Sequence, residues 1–97
     1  MSQVNLSEKA KYDLLRLKEF LAEHSWVASE KVVVEFAKAF DLLERFPVIG
    51  PALDDRYRTM PVRFGNRGYV ILYYYEMDTD TVHVMRIRHQ REHGFEH

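Results

Sequence analysis

An α+β fold is what this sequence predicts: an antiparallel helix hairpin packed on one face of a small antiparallel sheet, in the order β-α-α-β-β-β. Three observations point there. Two segments of helical periodicity fill the first half of the chain, two runs rich in β-branched and aromatic residues fill the second, and turn-forming residues separate those runs. Helices followed by strands mean α+β architecture, with the sheet's other face left open for a partner or substrate.

Each element has a local reason. Gln3–Leu6 is a short N-terminal edge strand. Ser7 is a good N-cap and Glu8 suits the positive end of a helix dipole. Ala10, Leu14, Leu17 and Leu21 recur at helical spacing, with Phe20 widening the stripe, so a helix runs from Glu8 to His24. Ser25-Trp26-Val27-Ala28 reads as a connector, and Ser29 as the cap of a second helix. That helix carries the stripe Val33, Phe36, Ala37, Phe40 and Leu43 and ends near Arg45. So short a connection makes the two helices antiparallel neighbours.

Phe46-Pro47-Val48-Ile49-Gly50-Pro51 stops the second helix and forms a loop. Arg56–Phe64 is a strand at an edge, or bulged, because Pro61 has no ladder donor. Gly65-Asn66-Arg67-Gly68 is a hairpin turn. Tyr69–Glu76 is a β-branched and aromatic run, as for a strand covered on both faces or nearly so. Asp78-Thr79-Asp80 turns the chain into a last strand, Thr81–Arg88. Strand alternation sends either Tyr74, or Tyr73 with Tyr75, toward the helices and leaves the remainder on the open face. Residues 89–97 form a tail, and residues 1–97 a single domain.

Composition narrows the function classes. Hydrophobic residues make up 46% of the chain, enough for a folded core, and there is no cysteine, hence no disulfide and no thiolate chemistry. No apolar run approaches the roughly 20 residues of a membrane span. Met1 to Lys11 is mostly polar, without a signal-peptide core. A soluble cytoplasmic protein with no membrane partner is the expectation. The formal net charge of −1 lacks the basic excess of most nucleic-acid binders. Cation type is divided, however. All five lysines lie between Lys9 and Lys38, whereas the seven cations after Phe46 are all arginine. Arginine on a sheet suits bidentate contact with carboxylate or phosphate.

Arg86, Arg88, His89 and Arg91 crowd the end of the last strand and are the candidate target-binding residues. A solvated strand edge, paired with acids such as Glu76 or Glu92, is the competing explanation. His89, His93 and His97 stand four apart, but Gly94 argues against a helix and no further ligand completes a zinc set, so neither metal nor cofactor is expected. Trp26 lies between the helices and reads first as a cap on the core and second as an anchor for a partner helix, and Val32 with Val34 can widen a groove there.

Four segments together carry a family resemblance: Leu6-Ser7-Glu8-Lys9-Ala10, Phe46-Pro47-Val48-Ile49-Gly50, Gly68-Tyr69-Val70-Ile71-Leu72-Tyr73-Tyr74, and Met85-Arg86-Ile87-Arg88-His89-Gln90-Arg91. In this order and spacing the chain resembles the RelE/ParE toxins of type II toxin–antitoxin systems, over nearly its whole length. The resemblance implies a toxin neutralised by a cognate antitoxin, with Trp26, Val34, Arg63 and Tyr74 as antitoxin-binding candidates. It also allows a homodimer or a toxin–antitoxin hetero-oligomer.

The family has two branches. A RelE-like toxin is a ribosome-dependent mRNA endonuclease, and its catalytic set would fall on Arg56, Arg58, Arg91 and His97. Such toxins carry an arginine just after a Gly-Tyr pair, where this chain has Val70, and lysines on strands that here have none. A ParE-like toxin inhibits DNA gyrase without nuclease activity. His89-Gln90-Arg91 is nearer to ParE-like sequences, so the resemblance favours a non-enzymatic gyrase inhibitor, with the ribosome as the alternative target.

Overall fold

The computed structural model describes residues 1–91 of the chain. The elements are β1 (Gln3–Leu6), α1 (Glu8–His24), α2 (Trp26–Arg45), β2 (Arg58–Phe64), β3 (Arg67–Glu76) and β4 (Thr81–His89). They form one helix layer on one four-stranded sheet of order β1-β4-β3-β2. The sheet is mixed, not wholly antiparallel. β2, β3 and β4 form an antiparallel meander, while β1 lies parallel to β4 from Gln3↔Thr81 to Leu6↔Val84. The helix hairpin lies between β1 and the meander and lets β4 return alongside β1 in the same direction. No helix among the described residues is long and apolar enough to cross a membrane.

Ser7 caps α1 as expected: its Oγ accepts from the Ala10 amide at 3.0 Å and donates to the Met85 carbonyl at 2.8 Å. The expected connector at Ser25–Ala28 is a single residue instead. Ser25 ends α1 by donating its amide to the Leu21 carbonyl, and starts α2 by accepting from the Ala28 amide at its Oγ. An extended backbone and a hydroxyl satisfy both helix ends at once, so α2 begins at Trp26 and Ser29 is buried within it.

The buried stripe of α2 is Ser29, Val32, Phe36, Ala39 and Leu43, turned from the expected one; Val33 is exposed, as is Ala37. Three consecutive valines make the apolar face ambiguous from spacing alone. The small residues Ser29 and Ala39 on the true face let the helix lie close to its neighbours. In α1 the stripe Ala10, Leu14, Leu17 and Leu21 is at least partly buried, but Phe20 is half exposed.

The core is α2's Val32, Phe36 and Leu43 against Val62 of β2, Tyr69, Ile71 and Tyr73 of β3, and Val82, Val84 and Ile87 of β4. The rings of Phe36 and Tyr69 meet at 5.6 Å. Tyr73 and Tyr75 face the helices, which leaves Tyr74 on the open face. A bulge explains how β4 can place Val84 and Ile87 on the same side. Leu72 pairs with Arg86 but Tyr73 pairs with Val84, so Met85 is an extra residue in β4. The bulge shifts the alternation, bringing Ile87 inward and sending Arg86 and Arg88 away from the core.

The long loop after α2 is tied down. The Gly50 amide donates to the Tyr73 hydroxyl at 2.9 Å, and Arg58 donates to the carbonyls of Gly50 and Val48 at 2.9 and 3.2 Å. The hairpin turn is tighter than expected: Phe64 pairs with Arg67, leaving Gly65 and Asn66 as the loop, with Gly65 at φ +60°. At the other hairpin, Asp80 adopts φ +50° and its carboxylate accepts from the hydroxyls of Ser2 at 2.5 Å and Tyr75 at 2.6 Å.

Candidate functional site: a cationic cleft beside the last strand

Beyond Leu6, no strand among the described residues pairs with this edge of β4, and α1 runs along it instead. The space between them is a cleft of about 650 Å³. Its first feature is a carboxylate. Asp13 of α1 accepts from Arg86 through Nε at 2.9 Å and Nη2 at 3.1 Å, and from the backbone amide of Ile87 at 3.0 Å. One side chain thus neutralises a guanidinium and closes a strand-edge donor that would otherwise invite another strand.

Past that pair the cleft is lined by cations and aromatic rings. Arg16 lies over the ring of Tyr12 and Arg67 over that of Phe20, at 5.8 and 5.4 Å. His89 meets the Tyr69 ring edge-on at 5.3 Å, and its Nδ1 accepts from the Arg91 amide. Burial pushes the Tyr69 phenol up, and the neighbouring Arg67 opposes that shift. Five arginines (Arg16, Arg67, Arg86, Arg88, Arg91) and His89 therefore share one concavity, and Asp13 is the carboxylate that lines it among the described residues. Such a site can hold anions attached to an apolar body.

The predicted target-binding set, Arg86, Arg88, His89 and Arg91, does come together in this cleft. Arg86 differs from expectation in being committed to Asp13, which makes it part of the wall. Asp13, Arg16 and Arg67 were not visible as site residues. They come from a helix and a hairpin turn distant in sequence, and only the turn of α1 along the β4 edge brings them together.

The predicted nuclease set does not converge among the described residues. Arg56 lies over the Tyr74 ring at 4.4 Å, near one end of β3. Arg91 follows β4 beside the other end, roughly 20 Å away at strand rise. Arg58 is engaged by loop carbonyls, and His97, like His93, lies outside the described residues. The predicted antitoxin set falls on two layers. Trp26 and Val34 project from α2 at 72% and 52% exposure, while Arg63 and Tyr74 lie on the sheet. No group of three or more His, Asp or Glu side chains among the described residues is placed to hold a metal ion.

A second cluster occupies the open face. Tyr74 is stacked on His83 at 4.7 Å, with Arg56 over its ring and Tyr57 edge-on at 5.8 Å. His83 Nε2 lies 3.1 Å from Glu76 Oε1, which also accepts from the Thr79 hydroxyl. That hydroxyl and then His83 hold the Glu76 carboxyl below its usual range. Cross-strand register, Tyr74 opposite His83, creates this cluster, and one sequence does not reveal register.

The described residues form a two-helix, four-strand α+β fold with a cation-lined edge cleft, the architecture of a RelE/ParE-like toxin. Residues 4–94 match the model of the ParE toxin of the type II toxin–antitoxin system parDE, so the chain belongs to that family and is a toxin of a type II toxin–antitoxin system. It is similar to Toxin RelE3 of Caulobacter vibrioides, at 28% identity over 92 residues, covering 95% of this chain and 98% of that protein. It also resembles a chain of the crystallised toxin–antitoxin complex RelBE2 of Mycobacterium tuberculosis. There the identity is 30% and the TM-score 0.57, over 92% of this chain and 98% of that one.

Proposed function

We infer that this toxin acts in the cytoplasm as a ParE-like inhibitor of DNA gyrase, binding the enzyme and leaving cleaved DNA, and that a cognate antitoxin neutralises it. The observation that carries this reading is where the arginines of the sheet go. Phosphodiester cleavage needs a base, an acid and cations gathered at one phosphate. Here Arg56 and Arg91 are at opposite ends of β3, Arg58 is spent on the Val48 and Gly50 carbonyls, and β2 to β4 contain no lysine. What is gathered is a cleft suited to grip anionic side chains of a protein. The antitoxin reading rests on family membership and on the exposed Trp26 and Val34, which suit a partner helix.

One observation favours a second reading, the RelE-like mRNA endonuclease. His83, Glu76 and Arg56 meet around Tyr74 on the open face and include a proton-transfer pair and a cation. Induced expression separates the two. A gyrase inhibitor is expected to give filamentous cells and a DNA-damage response, unchanged by His83→Ala. Rapid translation arrest with cut transcripts, abolished by His83→Ala, would replace the gyrase reading with the nuclease.

A further inference from the structure

We propose that Gly68 and Gln90 form a catch that sets the course of the chain past β4, which makes them positioning residues for Arg91. Gly68 is buried although it belongs to the open face of the sheet. Its neighbours Tyr69, Ile71 and Tyr73 alternate toward the helices, so position 68 faces the other way. The Gln90 side chain lies over it. A Cβ at position 68 would fall on the amide oxygen of Gln90 and stand 2.8 Å from its Cδ and 3.3 Å from its Cβ. Gly68 does not share the positive φ of Gly65, so its backbone would admit a side chain. What excludes one is the space that Gln90 takes. A glycine inside a strand weakens it and marks a close approach, here by the residue that follows the neighbouring strand.

Two hydrogen bonds complete the catch. One step beyond the Tyr69↔His89 pair, the Gln90 amide donates to the Gly68 carbonyl at 2.8 Å. On the helix side, His89 stands edge-on to Tyr69 at 5.3 Å, and its Nδ1 accepts from the Arg91 amide at 3.1 Å. Gln90 thus holds the sheet from its open face and His89 from its helix face, and the turn between them delivers Arg91 to the cleft lining. An alanine at position 68 meets the far end of Gln90, an exposed and flexible side chain, and leaves the β3 backbone where it is. Loss of the catch is therefore separable from loss of the fold. The functional consequence rests on the gyrase reading: an arginine already held in place loses less freedom on contact, an effect of up to about tenfold in affinity.

The test compares the full-length chain with Gly68→Ala, Gln90→Ala and the double variant. Gyrase supercoiling, the urea midpoint, and the Arg91 amide and Nε–H signals of the 15N-labelled protein are measured for each. Each single variant is expected to need about five- to tenfold more protein for half inhibition, and the double variant no more than the weaker single, because both changes act on one catch. The urea midpoints stay with the parent's. The Arg91 signals move in all three variants, while those of Arg45 stay. Losses that multiply in the double variant, Arg91 signals unmoved in Gly68→Ala, or inhibition that falls only in step with the urea midpoint would each overturn the proposal. A parent chain without effect on gyrase would sink the gyrase reading instead, and the Arg91 signals would then decide the catch by themselves.

Discussion

Asp13 is the residue on which most of the cleft depends. Its side chain is 13% exposed and serves both Arg86 and the Ile87 amide. Removing its charge takes an ion-pair partner from Arg86 and weakens the acceptor for a strand-edge amide. Hydrogen bonds to charged groups contribute roughly 1.5–3 kcal/mol each, so Asp13→Asn should lower stability by about 2 kcal/mol. Urea unfolding monitored by Trp26 fluorescence checks this, and a variant as stable as the parent would show that the Asp13 contacts do not stabilise the fold. Asp80 makes a different prediction. The hydroxyl of Ser2, then that of Tyr75, hold its carboxyl below the usual range. A carboxyl depressed in the folded state contributes stability above its unfolded pKa, and loses it as pH falls through the folded value. The urea midpoint should therefore drop from about pH 4 downward, and Asp80→Asn, which tolerates the positive φ, should flatten that drop. An unchanged acid slope in the variant would contradict it.

Among the elements, the loop between α2 and β2 is held most tightly for a segment without regular structure. Gly50 is the pivot: a Cβ there would collide with the Thr59 carbonyl oxygen and approach the Tyr73 hydroxyl to 2.8 Å. Gly50→Ala should cost about 1–3 kcal/mol, as overpacking usually does, and shift the amide resonances of Val48 and Ile49. Retained stability with an unmoved loop would show that the contact can relax. The helices and strands were largely legible, because each carries its own period: Ser7, the α1 stripe and the β-branched run of β3 are local signals. The start of α2 was not, since Ser25 and Ser29 are equally good caps by type. Which one serves depends on how close the two helices pack. The face of α2 was hidden by three adjacent valines. The Met85 bulge was hidden too, because it changes which residues are paired and leaves the composition untouched.

At the scale of the whole molecule, charge is sorted by layer. Lysines sit on the helices, and the arginines of the second half sit on the sheet, its turns and its edge. That sorting was legible, and so was the crowding of Arg86, Arg88, His89 and Arg91 in one place. The rest of the cleft was not. Arg16 and Arg67 belong to elements some fifty positions apart in sequence and join only through packing. Arg58 illustrates the converse: an arginine in the expected strand is used to hold a loop. The proposed function makes this cation-lined molecule a gyrase-directed binder and not a nuclease. A supercoiling reaction with purified gyrase, titrated with the toxin and scored in one gel for linear DNA, tests that most directly. Inhibition with accumulated cleaved DNA is the expected result, weakened in an Arg88→Ala, Arg91→Ala double variant. Undisturbed supercoiling at large molar excess of toxin would contradict it.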